Sequence, residues 1–368
     1  MIVSHFQPPI TGGEIYNYKL YKYLKSKFSG VDVISLYDTP YRFRGGFILR
    51  NLWFLKILTR NEKEIIIEDF VRSSDLFIFN LIVRVIRSFL KKKIKIISLV
   101  HLIYTPLVEH KLKRKLKFIM ESIFVNESDL IIVNSEFTKR EIEKLLKAKR
   151  EILVAHPGLS VVLYKNKRKR IHKNQNIDLL FVGSVTSRKG VDTLVKSFKI
   201  LIKDYKVKNL FLHIVGDLGK EPDFAKKIKD YCRYERIEDK VNFYGRVSKD
   251  KLGDLYATAD IFVFPSLWEG FGIVLIEAMY NKLPIVATNS GAIPFLVKDG
   301  VNGFLVPPKN PKKLAEAIKK LIDCPELRKK FGENNYKCAQ EFNWTKTFTR
   351  IEKALQKLLK NGDCAYQG

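Results

Sequence analysis

The sequence predicts an α/β protein of two tandem Rossmann-like, doubly wound domains facing a central cleft. Three observations carry that expectation. The chain has 368 residues, too many for one ordinary core and enough for two. Short β-branched runs alternate with longer amphipathic stretches, the pattern of parallel strands joined by helices. A basic segment at 165–173 separates two series of this kind, which places one domain at 1–164 and a second at 165–344.

In the first series the β-branched runs at 2–4, 31–35, 76–79, 94–100, 130–133 and 151–154 read as strands. Helical periodicity falls at 15–26, 113–126 and 139–146. The second series gives strands at 178–182, 210–215, 241–244, 261–264 and 284–288. Its helices fall at 191–204, 224–234, 249–258, 271–281 and 311–323. No short-period repeat or low-complexity tract interrupts the alternation. Ligands of such sheets bind beyond the carboxyl ends of the strands, so the motifs there come first.

Composition narrows the function classes. Apolar residues make up 46% and charged residues 29% of the chain, which excludes wholesale disorder. Lys and Arg number 67 against 39 Asp and Glu, a formal charge of +28. Residues 1–170 hold 33 of those cations against 16 acids, so the excess leans to the first half. Such a field suits polyanions: nucleic acid, an anionic membrane face or phosphorylated substrates. Cys232, Cys324, Cys338 and Cys364 form no Cys-x-x-Cys pair and lie near no His cluster, so neither a zinc site nor a disulfide framework is expected. The N-terminus has no basic-then-apolar leader, and the apolar stretch 76–90 is broken by Arg84 and Arg87 and is too short to span a bilayer. The expectation is a cytoplasmic protein.

Three motifs stand at strand ends. Thr11-Gly12-Gly13 follows the first strand and opens a helix; paired glycines there let backbone N–H groups approach an anionic ligand. A tight βα turn explains them as well. Gly183-Ser184-Val185-Thr186-Ser187-Arg188-Lys189-Gly190 opens the helix from Val191. Arg offers a planar fork to phosphate oxygens and Lys a mobile point charge, although an Arg-Lys pair is often a solvated surface. The third motif runs from Pro265 through Glu269, Gly270, Phe271 and Gly272 to Glu277 and Ala278. Its two carboxylates, eight residues apart, suit the vicinal hydroxyls of a sugar. The N–H groups of Gly270 to Gly272, at a helix start, suit a leaving phosphate. A capping acid and an exposed helix acid are the alternatives.

These residues resemble the retaining glycosyltransferases of family 4, which have the GT-B fold. The likeness rests on Gly12-Gly13, Val215-Gly216-Asp217, the run from Asp260 to Ser266, and the E-x7-E block of Glu269 and Glu277. The segments 284–288, 299–306, 134–139 and 342–344 extend it. The resemblance implies a nucleotide-sugar donor held by the second domain without a metal ion or other cofactor. Arg188 and Lys189 would take the diphosphate, and Glu277 the ribose. Glu269, with Gly270, Phe271 and Gly272, would hold the transferred sugar, and Gly12, Gly13, Gly183 and Gly216 would complete the donor site. His101, just after the strand at 94–100, matches a family position over the donor sugar; a lone His at a strand end is more often structural. The last helix, 345–359, would pack back on the first domain. Two positions depart from the pattern: Ser184 stands where an Arg is usual, and Phe295 where a Glu is common. The implied mechanism is a front-face substitution in which the departing phosphate helps deprotonate the acceptor hydroxyl, with no carboxylate nucleophile.

The first domain is the acceptor side in this fold. Segments 84–95 and 111–119 alternate cations with apolar residues, as in helices that lie on anionic bilayers. A glycan or lipid-linked acceptor and peripheral association with an anionic membrane are therefore expected, against the plainer reading of solvated surface lysines. No helix-turn-helix, zinc or RNA-recognition signature supports nucleic acid as a partner. A GT-B sugar-nucleotide epimerase or hydrolase is the closer rival.

Overall fold

The computed structural model describes residues 2–3, 11–28, 31–32, 34–35, 65–70, 73–90, 94–159 and 176–363. The basic segment 165–173, Cys364 and parts of the expected strands 2–4 and 31–35 lie outside the described residues. The chain divides into one unit of Met1–Pro157 with Trp344–Gly368, and a second of Gly158–Asn343.

The first unit carries strands β1 (Ile2–Val3), β2 (Ile34–Ser35), β3 (Ile65–Asp69), β4 (Lys95–Val100), β5 (Leu130–Val133) and β6 (Ile152–Val154). All pair in parallel, in the order β2-β1-β3-β4-β5-β6. Its helices are α1 (Gly12–Lys27), α2 (Ser73–Leu90), α3 (Lys111–Asn126) and α4 (Glu136–Glu143). Consecutive strand residues point to opposite faces, and here both faces are buried. Ile66, Ile96 and Ile131 pack with Leu76, Phe79 and Val83 of α2 and Phe124 of α3. Ile67, Ile97 and Ile132 pack with Tyr16, Leu20 and Leu24 of α1 and with Phe348, Ile351 and Leu355 near the C-terminus. A sheet covered on both sides explains the unbroken Ile/Val/Leu runs of its strands.

One sequence expectation is corrected. Leu76-Phe77-Ile78-Phe79 is not a strand but the second turn of α2, and the strand is Ile65–Asp69. A four-residue apolar run fits either element by periodicity. What decides is its continuation into an amphipathic stretch that buries Leu76, Phe79 and Val83 at helical spacing.

The second unit holds β7 (Ile177–Val182), β8 (Leu210–Val215), β9 (Val241–Gly245), β10 (Ile261–Phe264), β11 (Ile285–Thr288) and β12 (Gly303–Val306). They form a parallel sheet in the order β12-β11-β10-β7-β8-β9. Helices α5 (Val191–Lys199), α6 (Pro222–Tyr234), α7 (Lys249–Thr258), α8 (Ile273–Tyr280), α9 (Ile293–Leu296), α10 (Pro311–Asp323) and α11 (Pro325–Ala339) connect and cover it. Strand β12 and helix α11 were not expected. Gly303 opens β12 because a Cβ there would lie 2.4 Å from the Ile285 carbonyl oxygen, and Asn-Gly reads as a turn in sequence. The last helix, α12 (Trp344–Asp363), belongs to the first unit: Trp344 and Phe348 stack with ring centroids 5.1 Å apart, and both pack edge-on to Tyr16.

Candidate active site

In the second sheet the chain runs β7 to β9 outward, then returns to place β10 on the other side of β7. Where strand order reverses, the loops leaving neighbouring strands diverge and open a crevice. The loops leaving β7 and β10 are the segments singled out above, Gly183–Gly190 and Pro265–Gly272.

Glycines set how closely these loops approach. Gly216, just past β8, has φ +141°, and a Cβ there would fall 2.1 Å from the Gly183 carbonyl oxygen. Gly190 has φ +68°, and its Cβ would fall 2.1 Å from the Pro265 carbonyl oxygen. No side chain is tolerated at either contact. Gly190 closes the single turn Ser187–Lys189 and opens α5, which fixes where Arg188 and Lys189 emerge.

From there Lys189 Nζ reaches Glu269 Oε2 at 2.5 Å and lies 4.9 Å from the centre of the Phe264 ring. The Ser266 hydroxyl is 3.4 Å and Arg188 Nη1 3.7 Å from the same Oε2. Burial pulls the Lys189 ammonium below its ordinary value, and the attraction of Glu269 opposes that shift. Burial pushes the Glu269 carboxyl up, but Lys189 and Arg188 together hold it below its ordinary value. Glu269 is therefore an anion whose contacts with Lys189, Ser266 and Arg188 all fall on Oε2. Arg188 Nη1 also donates to the Trp268 carbonyl at 2.6 Å, so Arg188 ties the two loops together as well as adding charge.

Glu277 lies in α8, whose first residue follows Gly272 at φ +92°. Its carboxylate accepts from the Tyr256 hydroxyl at 3.0 Å, and burial pushes its pKa up to about 7. The Phe271 side chain is core, 2% exposed and edge-on to Phe342 at 5.6 Å, so what that position offers is its backbone. Two partners were missed in the sequence: Tyr256 and Glu221, whose carboxylate accepts the Ser187 N–H at 2.9 Å. Each comes from a separate strand end or helix, and no local spacing signals them. Ser184 is half-buried beside Gly183.

The remaining candidates meet in the first unit. Thr11 caps α1 and forms a capping box with Glu14, leaving Gly12 and Gly13 as the helix's first residues. A Cβ on Gly13 would lie 3.0 Å from His101 Cδ2, so this glycine makes room for the imidazole. His101 Nε2 is 2.9 Å from Asn17 Oδ1, and Asn17 Nδ2 donates to Asp69 Oδ2 at 2.9 Å. Because the carboxylate only accepts, the Asn17 amide is oriented and Nε2 must carry the imidazole proton. That leaves Nδ1 as an acceptor. Burial lowers the His101 pKa to about 4, so the ring is neutral near pH 7. The Asn134 side chain holds the His101 carbonyl at 2.8 Å. Asn17 and Asp69 escaped sequence reading because they sit on a helix and a strand far apart in the chain. Among the described residues no grouping of three His, Cys, Asp or Glu offers a metal site.

This two-sheet architecture is the GT-B glycosyltransferase fold. It matches sucrose-phosphate synthase from Thermosynechococcus elongatus with a TM-score of 0.79, at 20% identity over 98% of both chains. It matches Anabaena HepE in complex with UDP-glucose with a TM-score of 0.77, at 20% identity over 97% of this chain and 98% of that one. Residues 164–338 match the model of the family described as Glycosyl transferases group 1. An uncharacterized glycosyltransferase of Methanocaldococcus jannaschii is 32% identical over 234 residues, 63% of this chain and 60% of the relative. A D-inositol 3-phosphate glycosyltransferase of Streptomyces griseus is 28% identical over 252 residues, 62% of this chain and 53% of the relative. The chain thus spans little more than half the length of these relatives.

Proposed function

We propose that this protein is a retaining, family 4 glycosyltransferase moving a hexose from a nucleotide-diphosphate sugar to a hydroxyl acceptor on a glycan or a lipid-linked carrier. The observation that carries the reading is the Lys189–Glu269 pair at the strand-order reversal of the second sheet. A carboxylate fixed through one oxygen keeps the other for the sugar's hydroxyls, and the adjacent ammonium answers the charge of a diphosphate. The similarity to Anabaena HepE, whose structures hold UDP and glucose or UDP-glucose, supports this choice of donor.

In this reading Lys189 and the N–H groups at the start of α8 take up the charge that grows on the leaving phosphate. Protein cations do this, so neither a metal ion nor another cofactor is needed. Glu277 accepts the ribose hydroxyls, and Glu269 orients the sugar over its leaving group. A front-face departure then lets the phosphate oxygen receive the acceptor proton, which leaves the carboxylates free of any nucleophilic role. His101, neutral and held by Asn17, offers Nδ1 to a substrate hydroxyl. The enzyme would work at the cytoplasmic face of a membrane or in the cytoplasm.

The test is incubation with a panel of nucleotide sugars and acceptors, reading the anomeric coupling of the product. Transfer with retention supports the proposal. Free sugar released at the same rate with and without acceptor would instead identify a hydrolase or epimerase.

A further inference from the structure

Helix α3 has two apolar faces, and only one is used. Its C-terminal half is pinned inward: Phe124 and Val125 are buried. The buried Glu121 carboxylate accepts from the Tyr104 and Thr105 N–H groups at 3.1 and 3.2 Å and from the Thr105 hydroxyl at 2.6 Å. The N-terminal half projects, and every residue from Lys111 to Leu116 is exposed. Leu112, Leu116 and Ile119, spaced i, i+4, i+7, form one outward stripe at 63%, 49% and 44% exposure, and Phe118, about 100° round the helix from Ile119, is 41% exposed. Four of the eight large apolar side chains most exposed among the described residues are therefore on this one helix. Apolar surface concentrated in this way marks a contact site.

Lys111, Lys113 and Lys115 flank the stripe, and among the described residues none has a carboxylate partner. Arg114 is occupied differently, donating to the Val108 and Glu109 carbonyls at 2.6 and 3.1 Å and so fixing the loop that precedes the helix. A second copy of this chain would bring the same three lysines against these, on molecules that each carry +28. Nucleic acid would satisfy the cations and leave the leucines in water. An anionic bilayer satisfies both at once, taking the stripe into the headgroup–acyl boundary while the lysines reach lipid phosphates.

We infer that the projecting half of α3 is a membrane-docking face whose partner is an anionic lipid surface. The inference rests on the glycosyl-transfer reading only for its purpose, which is to bring the enzyme to a lipid-borne acceptor; the contact itself needs neither donor nor acceptor. With a single short helix, binding is reversible and falls with salt.

The experiment is co-sedimentation of the full-length protein with phosphatidylcholine vesicles, and with vesicles containing roughly one-third phosphatidylglycerol. Two variants are run beside wild type, L112S/L116S/I119S and K111Q/K113Q/K115Q, with folding checked by circular dichroism and thermal shifts with UDP, GDP and ADP measured in parallel. Wild type is expected to bind only the anionic vesicles. The lysine variant should bind about 100-fold more weakly, and the apolar variant at least about tenfold more weakly. Two outcomes overturn the inference: wild type staying in solution with both vesicles, or an apolar variant that binds as well as wild type, which would reduce the effect to general charge. Failed vesicle binding with an intact nucleotide shift overturns docking alone. Vesicle binding with no nucleotide shift leaves docking standing and overturns the transfer reading.

Discussion

Lys189 Nζ and Glu269 Oε2 meet at 2.5 Å across two loops that leave different strands of one sheet. The pair is mostly shielded, each side chain 14% exposed, so each member holds the other in its charged form. Removing Lys189 strands an anion and, on the proposed reading, takes away the cation nearest a bound diphosphate. Lys189→Ala is expected to slow sugar transfer by at least about tenfold and to lower the melting temperature. Glu269→Gln in the same background should recover part of the lost stability but none of the activity. Steady-state kinetics and thermal unfolding on the single and double variants check both.

Glu277 gives the proposed donor site a pH dependence of predictable sign. Its pKa is raised to about 7 by burial, so the native state holds a proton that the unfolded chain has released. The associated stability is present below pH 4.5 and is lost as pH rises through about 7. Ribose hydroxyls prefer the ionised carboxylate, so nucleotide affinity should rise over the same interval. Tyr256→Phe removes a bond that favours the ionised form and should move the midpoint of nucleotide binding upward. Glu277→Ala should weaken donor binding and erase the pH dependence. Titration calorimetry from pH 5 to 8 reads each outcome.

Gly190 and Gly216 are contact points between strand ends. Gly190→Ala and Gly216→Ala each place a methyl 2.1 Å from a carbonyl oxygen in a left-handed conformation. Each should cost on the order of 3 kcal/mol, while Gly219→Ala, whose Cβ would lie 3.4 Å from the Asp217 carboxylate, should cost far less. Chemical denaturation of the three variants makes the comparison.

His101 depends on Asn17 for its tautomer. Asn17→Leu leaves both the imidazole Nε2 and the Asp69 carboxylate without this partner, and should destabilise the first unit by about 1–3 kcal/mol. It should also lower kcat by freeing the ring. The His101 pKa, lowered to about 4, predicts stability that is lost as pH falls from about 6.5 to 4. This is opposite in sign to the Glu277 effect over much of the same range, so the two are separated by denaturation of His101→Gln and Glu277→Gln across pH.

Most of the fold was legible in the sequence because parallel strands buried on both faces read as β-branched runs, such as Ile261–Phe264. One exception, Leu76–Phe79, shows where pattern fails: the neighbours that cover those side chains reveal a helix. At the candidate site, Arg188, Lys189 and Glu269 on the loops and Glu277 in α8 were legible, since all four lie within recognisable local motifs. Tyr256, Asn17 and Asp69 were not, because each reaches its partner through topology rather than spacing. The faces of α3 were likewise undecided, since Leu112-Leu116-Ile119 and Phe124-Val125 are equally apolar and only packing tells which is covered.

On the proposed reading, the loops after β7 and β10 hold a nucleotide diphosphate. The most direct measurement is a thermal-shift screen of UDP, GDP, ADP and their sugar conjugates against wild type and Lys189→Ala, because a ligand that binds the native state raises its melting temperature. A clear shift with one nucleotide is expected in wild type and a much smaller shift in the variant. Equal shifts in both proteins, or none in folded wild type, would contradict it.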